Sequence, residues 1–205
     1  MSMISVDNRS LDDKVVNWSI YGDLRVYSIF YYYPTRFETI DDDIWNVRNL
    51  VWDFKANPNK PTPMDSIIQK HKAAVERLVP KFTEILFSTF GESLSSFCLC
   101  CIPAKKRDVD ERRLKDFSAE LCRLTGMEDG FPHREVTKDG ESKHVGGTAS
   151  GSYSVDFGFF KNKKIIFFDD IITTGGTMTT WASEFRKGLN NNFMCGITIG
   201  KTMLV

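Results

Sequence analysis

A nonpolar segment followed by an acidic pair and a turn rich in threonine and glycine is the feature that most constrains the fold. The four bulky residues 165–168 predict a strand buried on both faces, as in a parallel sheet covered by helices. Asp169 and Asp170 follow directly, and the turn after them contains Thr173, Thr174, Gly175, Gly176 and Thr177. Helical spacing resumes at Met178, Trp181, Phe185 and Leu189. This order predicts an anion site at a helix N-terminus, because glycine lets backbone N–H groups approach a phosphate.

The two aspartates suit a different part of the same ligand. Adjacent carboxylates would repel a phosphate, but they accept hydrogen bonds from sugar hydroxyls and they bind Mg²⁺ through oxygen. The ligand that suits both features carries a phosphate at one end and vicinal hydroxyls nearby, as ribose 5-phosphate does. The alternative is an ordinary strand-to-helix connection with a threonine N-cap, which needs neither the acidic pair nor the two glycines.

The segment 168–177 resembles the signature with which type I phosphoribosyltransferases bind phosphoribosyl pyrophosphate (PRPP). The resemblance implies an α/β fold with a parallel sheet flanked by helices over residues 93–205, and an N-terminal α+β extension or hood over residues 1–92. It also implies an activity, the transfer of a 5-phosphoribosyl group from PRPP to a nitrogen acceptor such as a nucleobase, with release of pyrophosphate. Mg²⁺ is the implied cofactor.

The resemblance assigns roles to individual residues. Asp169 and Asp170 would hold the ribose hydroxyls, directly or through Mg²⁺, which makes them the predicted metal ligands. The 5-phosphate would be bound by Thr173, Thr174, Gly175, Gly176 and Thr177. The pyrophosphate would be bound after a strand predicted at residues 97–102, at the sheet edge where ligands of open α/β sheets bind, by Ala104, Lys105 and Lys106. The predicted catalytic residues are Asp169, Asp170 and Lys105.

Two features of the predicted pyrophosphate site have alternatives. The three cations Lys105, Lys106 and Arg107 could equally form a solvated basic turn, on composition alone. The glycine-rich segment 137–154 has no nonpolar period, and a loop of this length in a compact domain is usually functional or disordered. We expect a mobile lid that brings Lys143 to the pyrophosphate; the alternative is an insertion without a role.

The whole chain is most similar to the competence protein F (ComF)-like branch of these transferases. That branch often carries an N-terminal four-cysteine zinc module, whereas the first cysteine here is Cys98. Its lid usually carries arginine, glutamine and asparagine, whereas the lid here is rich in glycine, serine and threonine. Two other functions therefore stay open: a non-catalytic regulator that binds PRPP or a nucleotide, and an accessory protein of competence or DNA uptake.

Composition narrows the range of partners. Lys+Arg and Asp+Glu both total 27, so the net charge is zero and long-range attraction to nucleic acid is not expected. The five cysteines lack the paired spacing of a zinc site and predict buried free thiols in a reducing cytoplasm. No nonpolar run approaches the length of about 18 residues that would indicate a membrane span. The expected partners are PRPP and a nucleobase-like acceptor, and a homodimer stays open.

Three further segments carry the nonpolar period of helices. Residues 44–55 follow Asp41 and two more aspartates, which predict an N-terminal cap. Residues 64–90 form a long pattern in which Pro80 predicts a kink or a break. The third pattern covers residues 110–125, and on its solvent face we expect Glu111, Arg112, Arg113 and Lys115.

Overall fold

A computed structural model describes residues 18–37, 41–57, 62–139, 152–189 and 193–203 of the chain. It has a six-stranded central sheet and a separate two-stranded hairpin. The strands of the sheet are β1 Trp18–Tyr21, β2 Leu24–Tyr32, β3 Phe97–Cys101, β4 Glu128–Asp129, β7 Lys164–Ile172 and β8 Met194–Thr202. The hairpin consists of β5 Arg134–Lys138 and β6 Ser152–Val155.

Five α-helices connect or cover these strands within the described ranges. They are α1 Asp42–Lys55, α2 Met64–Phe90, α3 Arg107–Thr125, the single turn α4 Phe157–Phe160 and α5 Gly176–Leu189. Short 3₁₀ segments lie at Gly91–Ser96 and Phe131–His133. No helix in the described ranges is long and nonpolar enough to cross a membrane.

The sheet has the strand order β1-β2-β8-β7-β3-β4, in which only β1 runs antiparallel to its neighbour. The prediction of an α/β fold with a mostly parallel sheet flanked by helices is confirmed at this level. β2 pairs with β8 from Val26 opposite Gly196 to Tyr32 opposite Thr202. Residues on both sides of the predicted boundary at 92/93 therefore share one sheet.

The central strand β7 is covered on both faces, as its nonpolar run predicts. Residues 165–168 are all fully buried. Phe168 lies in an aromatic cluster under α1, α2 and α3, with ring centroids 5.6 Å from Phe54, 5.6 Å from Phe82 and 4.3 Å from Phe117. On the opposite face, Phe167 packs at 5.1 Å against Phe185 of α5. Packing on both faces therefore fixes the position of β7 and of Asp169 and Asp170, which it carries.

The start of α1 agrees with the sequence prediction, whereas the course of α2 differs from it. The carboxylate of Asp41 accepts the Ile44 N–H at 2.9 Å, which confirms the predicted cap of α1. Pro80 does not break α2, which runs without interruption from Met64 to Phe90. Proline removes one backbone hydrogen bond. Burial of Leu78, Val79 and Phe82 beside it offsets that loss.

Phe168→Ala should lower the free energy of unfolding by about 3–5 kcal/mol, because it removes a ring that contacts three others in the core. The matched control is Phe87→Ala on α2, where the side chain is 45% exposed and the expected loss is within about 0.5 kcal/mol. Urea denaturation of both variants measures the difference. Equal losses would contradict the central position of Phe168.

Candidate functional site

The ends of three parallel strands meet at one edge of the sheet. Cys101, near the end of β3, is in register with Phe168, and the Ile102 N–H donates to the Phe168 carbonyl at 2.8 Å. On the other side of β7, Ile172 is in register with Lys201 of β8. The basic turn after β3 and the threonine- and glycine-rich turn after β7 therefore leave the same edge, where ligands of open α/β sheets bind.

The turn after β7 forms a pocket at the start of α5. The pocket has a volume of about 120 Å³, far more than the roughly 10–15 Å³ that one water molecule needs. Its walls consist of Asp169 and residues 171–178. The first N–H groups of a helix have no partner inside the helix, and α5 begins at Gly176. The pocket is therefore suited to an anion that accepts hydrogen bonds from backbone donors.

Gly175 is required by the close approach of another strand. Its φ is +77°, in the left-handed region, and a Cβ at this position would lie 2.3 Å from a ring carbon of Tyr21. Tyr21 ends β1, so the N-terminal strand packs directly against the turn. The Tyr21 hydroxyl is buried and has no hydrogen-bond partner in the described ranges, and burial raises the pKa of this tyrosine.

Threonine hydroxyls hold the turn in shape. The hydroxyls of Thr173 and Thr202 form a hydrogen bond of 2.8 Å, which connects the turn to the end of β8. Thr179 donates to the Gly175 carbonyl at 3.0 Å, and Thr180 donates to the Gly176 carbonyl at 2.8 Å. Both bonds lie in the first turns of α5. The exposed side chains on the turn include Thr174 and Thr177, which makes them available to a ligand.

The two adjacent aspartates have different surroundings, because successive side chains of a strand point to opposite faces. Asp169 lines the pocket of the turn. Asp170 is buried and faces the helices, where its carboxylate lies 2.9 Å from Arg113 Nη1 of α3 and 3.4 Å from Lys55 Nζ of α1. Arg113 Nε also donates to the Lys55 carbonyl at 3.2 Å. Asp170 therefore joins β7 to two helices.

The charge of Asp169 is sensitive to pH near neutrality. The pKa of Asp169 is raised from its ordinary value of 3.8 to about 7, mainly by burial and in addition by the negative charge of Asp170. The Asp170 N–H, which donates to Asp169 Oδ1 at 2.8 Å, acts in the opposite direction, as do Lys55 and Arg113. Near pH 7, Asp169 can thus bind a ligand as a carboxylate or as a carboxylic acid.

The residues predicted to bind pyrophosphate lie partly within the described ranges. Lys105 and Lys106 are exposed on the turn after β3. The Ala104 N–H donates to Asp110 Oδ1 at 2.7 Å, so this donor already has a partner inside the protein. Lys143 lies outside the described residues, as do positions 140–151 of the predicted lid. The strands β5 and β6 of the hairpin flank that segment.

Arg113 and Tyr21 contribute to the site, and the sequence did not indicate either role. The prediction that Arg113 lies on the solvent face of α3 is wrong, since its side chain is only 18% exposed and contacts Asp170. The helical period could not show this, because Arg113 directly precedes the buried Leu114 and lies on the flank of the nonpolar stripe. For Tyr21, only the glycine pair at 175–176 signals that something packs closely on the turn.

The acidic pair fits Mg²⁺ only as an ion shared with a ligand. In the described ranges no three acidic, histidine or cysteine side chains lie close enough together to hold a metal ion. Mg²⁺ is commonly bound by one or two carboxylates together with substrate phosphates. Asp169 fits that role, whereas Asp170 is already neutralised by Arg113 and Lys55.

Fold and site together define an α/β protein with a polar pocket at the carboxyl edge of its sheet. The chain matches no protein-family model, and comparison with curated proteins gives no match. Its function is therefore inferred from its own residues.

Asp169→Asn should stabilise the protein at pH 8 and change its stability little near pH 4. The folded state holds the Asp169 proton more tightly than the unfolded state, since the pKa is about 7 rather than 3.8. Stability is therefore lost as pH rises from about 4 to 7 and stays lower above that range. The neutral amide removes this loss, which we expect to be on the order of 2 kcal/mol. Urea denaturation at pH 4, 6 and 8 measures it.

The matched variant Asp170→Asn should have the opposite effect at pH 8. It removes the carboxylate that Arg113 and Lys55 contact directly, which should lower the free energy of unfolding by about 2 kcal/mol. The loss is smaller than for a fully buried pair because Lys55 is about a third exposed. If Asp169→Asn and Asp170→Asn changed the free energy of unfolding in the same direction at pH 8, the different surroundings assigned to the two aspartates would be wrong.

Proposed function

We propose that the protein binds PRPP at the edge of its sheet and transfers the 5-phosphoribosyl group to a nitrogen acceptor, with release of pyrophosphate. The observation that carries the proposal is the pocket that Asp169 shares with the turn before α5. A carboxylate accepts hydrogen bonds from the ribose hydroxyls, and the turn offers N–H and hydroxyl donors to the 5-phosphate. These are the two ends of one ribose 5-phosphate unit.

The 5-phosphate would be bound by the turn and by the start of α5. A helix carries a partial positive charge of about half an elementary charge at its N-terminus, which favours an anion there. Gly175 adopts its positive φ, and the bonds from Thr179 and Thr180 hold the carbonyls of the turn toward the helix. The backbone donors are therefore already oriented before a ligand arrives, which lowers the entropy lost on binding.

The ribose would lie against Asp169. Its hydroxyls donate to the carboxylate, and this contact strengthens as positive charge develops on the sugar. Asp170 would contribute indirectly, because its bonds to Arg113 and Lys55 fix the end of β7 from which Asp169 projects.

In the proposed reaction the bond from the anomeric carbon to the pyrophosphate oxygen breaks and a bond to the acceptor nitrogen forms. The acceptor nitrogen loses its proton to solvent, and pyrophosphate leaves with the electron pair of the broken bond. Mg²⁺, when bound, would neutralise charge on the pyrophosphate. Lys105 and Lys106 add positive charge at the turn after β3, one strand away from β7. No protein nucleophile is needed.

A second candidate is a regulator that binds PRPP or a nucleotide without transferring the ribosyl group. The pairing of Asp170 with two cations favours this alternative, because it leaves Asp169 as the carboxylate of the acidic pair that faces the pocket. One carboxylate is sufficient for binding the hydroxyls, but it provides less negative charge to a cationic transition state.

PRPP with Mg²⁺ should raise the melting temperature. At a ligand concentration about 100 times Kd the stabilisation is roughly 2.7 kcal/mol, or about 5–10 °C for a chain of this size. Asp169→Asn should abolish most of the shift, because the ribose loses its acceptor. The control Asp65→Asn changes an exposed aspartate in the first turn of α2 and should keep the shift. An unchanged melting curve at millimolar PRPP would count against the ligand.

Release of pyrophosphate separates the two candidates. A transferase should release pyrophosphate from PRPP only when a suitable purine or pyrimidine base is present, and Asp169→Asn should lower the rate by about tenfold or more through weaker transition-state stabilisation. A regulator should show the melting shift with no release across the panel of bases. Release that persists unchanged in Asp169→Asn would refute the role given to this residue.

A further inference from the structure

A buried ion pair lies directly behind the basic turn. Arg134 at the start of β5 is fully buried, and its guanidinium contacts one oxygen of the buried Asp110 carboxylate. The other carboxylate oxygen accepts the Ala104 N–H at 2.7 Å. The guanidinium also stacks on Phe131, 4.2 Å from the ring centroid. One carboxylate thus connects the hairpin to the first residue of the turn.

A contribution to stability does not by itself explain why Arg134 and Asp110 are buried as an ion pair. Burying two charges carries a desolvation penalty that their attraction often fails to exceed, and nonpolar replacements are often as stable. Arg134 Nε and Nη2 also lack hydrogen-bond partners in the described ranges, which adds to the penalty. An arrangement with this penalty is better explained by the geometry that it imposes.

Further contacts join the turn to the same strand of the hairpin. Arg107 follows the turn, and its Nε and Nη2 donate to the Val136 carbonyl at 3.1 and 2.9 Å. Its backbone N–H donates to Asp139 Oδ1 at 3.0 Å. The basic turn is therefore held at both ends, at Ala104 through Arg134 and at Arg107 through Val136 and Asp139.

The other strand of the hairpin contacts the phosphate side of the proposed site. Tyr153 of β6 packs edge-on against Trp181 of α5, with ring centroids 5.7 Å apart. β5 and β6 pair from Arg134 with Val155 to Val136 with Tyr153, and after a shift in register Lys138 pairs with Ser152. The hairpin thus spans the distance between the basic turn and the helix that begins at the phosphate pocket.

We infer that Arg134 is a positioning residue for pyrophosphate recognition and that it acts through Asp110. Its guanidinium, which stacks on Phe131, fixes one oxygen of the Asp110 carboxylate, and the other oxygen turns the Ala104 N–H inward, which presents Lys105 and Lys106 on the exposed part of the turn. The inference rests on the proposed function, since it assigns the basic turn to the pyrophosphate group of PRPP.

The test compares PRPP with ribose 5-phosphate, each with Mg²⁺, by isothermal titration. Arg134→Lys keeps the charge but loses the planar group that stacks on Phe131 and places Nη1 against Asp110, and it should lower the affinity for PRPP by about tenfold, as for one lost charge-assisted hydrogen bond. Affinity for ribose 5-phosphate should stay within about twofold, because the phosphate pocket is built by other residues. Asp110→Asn should show the same selective loss.

The control is Arg123→Lys, on the same helix as Asp110, where the arginine is exposed and pairs with Glu120. It should bind both ligands like the wild type. Thermal melting establishes first that each variant is folded, and if Arg134→Lys is not, Asp110→Asn tests the same selective loss.

The outcomes separate the inference from the proposed function. An equal loss for both ligands, or no loss for either, would overturn the positioning role. Wild-type protein that binds PRPP no more tightly than ribose 5-phosphate would overturn the assignment of the basic turn and leave the phosphate pocket standing. Wild-type protein that binds neither ligand would refute the proposed function and the inference with it.

Discussion

The contact of Asp170 with Arg113 and Lys55 is the constraint on which the site depends. β7 is the strand that carries both the acidic pair and the turn, and this contact fixes its carboxyl end against α1 and α3. The adjacent side chain, Asp169, points to the other face and lines the pocket, where burial, and after it the negative charge of Asp170, raises its pKa. One of the two adjacent aspartates thus holds β7 to the helices, and the other lines the pocket.

The site draws on segments that are far apart in the chain. Tyr21 packs on Gly175, Lys55 and Arg113 hold the end of β7, and the hairpin holds the basic turn through Arg134. The N-terminal strands are part of the sheet that carries the pocket, with β2 paired to β8. Changes in the N-terminal region should therefore alter the shape of the turn before α5 as well as the core.

Local patterns in the sequence predicted those features that local chemistry decides. Residues 165–168 lie in a strand and are buried on both faces, Asp41 caps α1, and a helix follows the threonine- and glycine-rich turn, although it begins at Gly176, two residues before the predicted Met178. Each depends on neighbouring residues alone: hydrophobic content, a side-chain acceptor before a helix, and glycine where φ is positive. Pro80 shows the limit of such rules, because burial around it maintains a helix that the residue itself disfavours.

The sequence by itself determined that two carboxylates come directly after a buried nonpolar run and precede a turn suited to an anion. Only the tertiary structure decided which carboxylate faces the pocket and which faces Arg113 and Lys55. The physical reason is that strand geometry sends adjacent side chains to opposite faces, whereas the covering of each face depends on helices placed by long-range packing. The inward position of Arg134 has the same origin, since burial of a charge depends on a partner far along the chain.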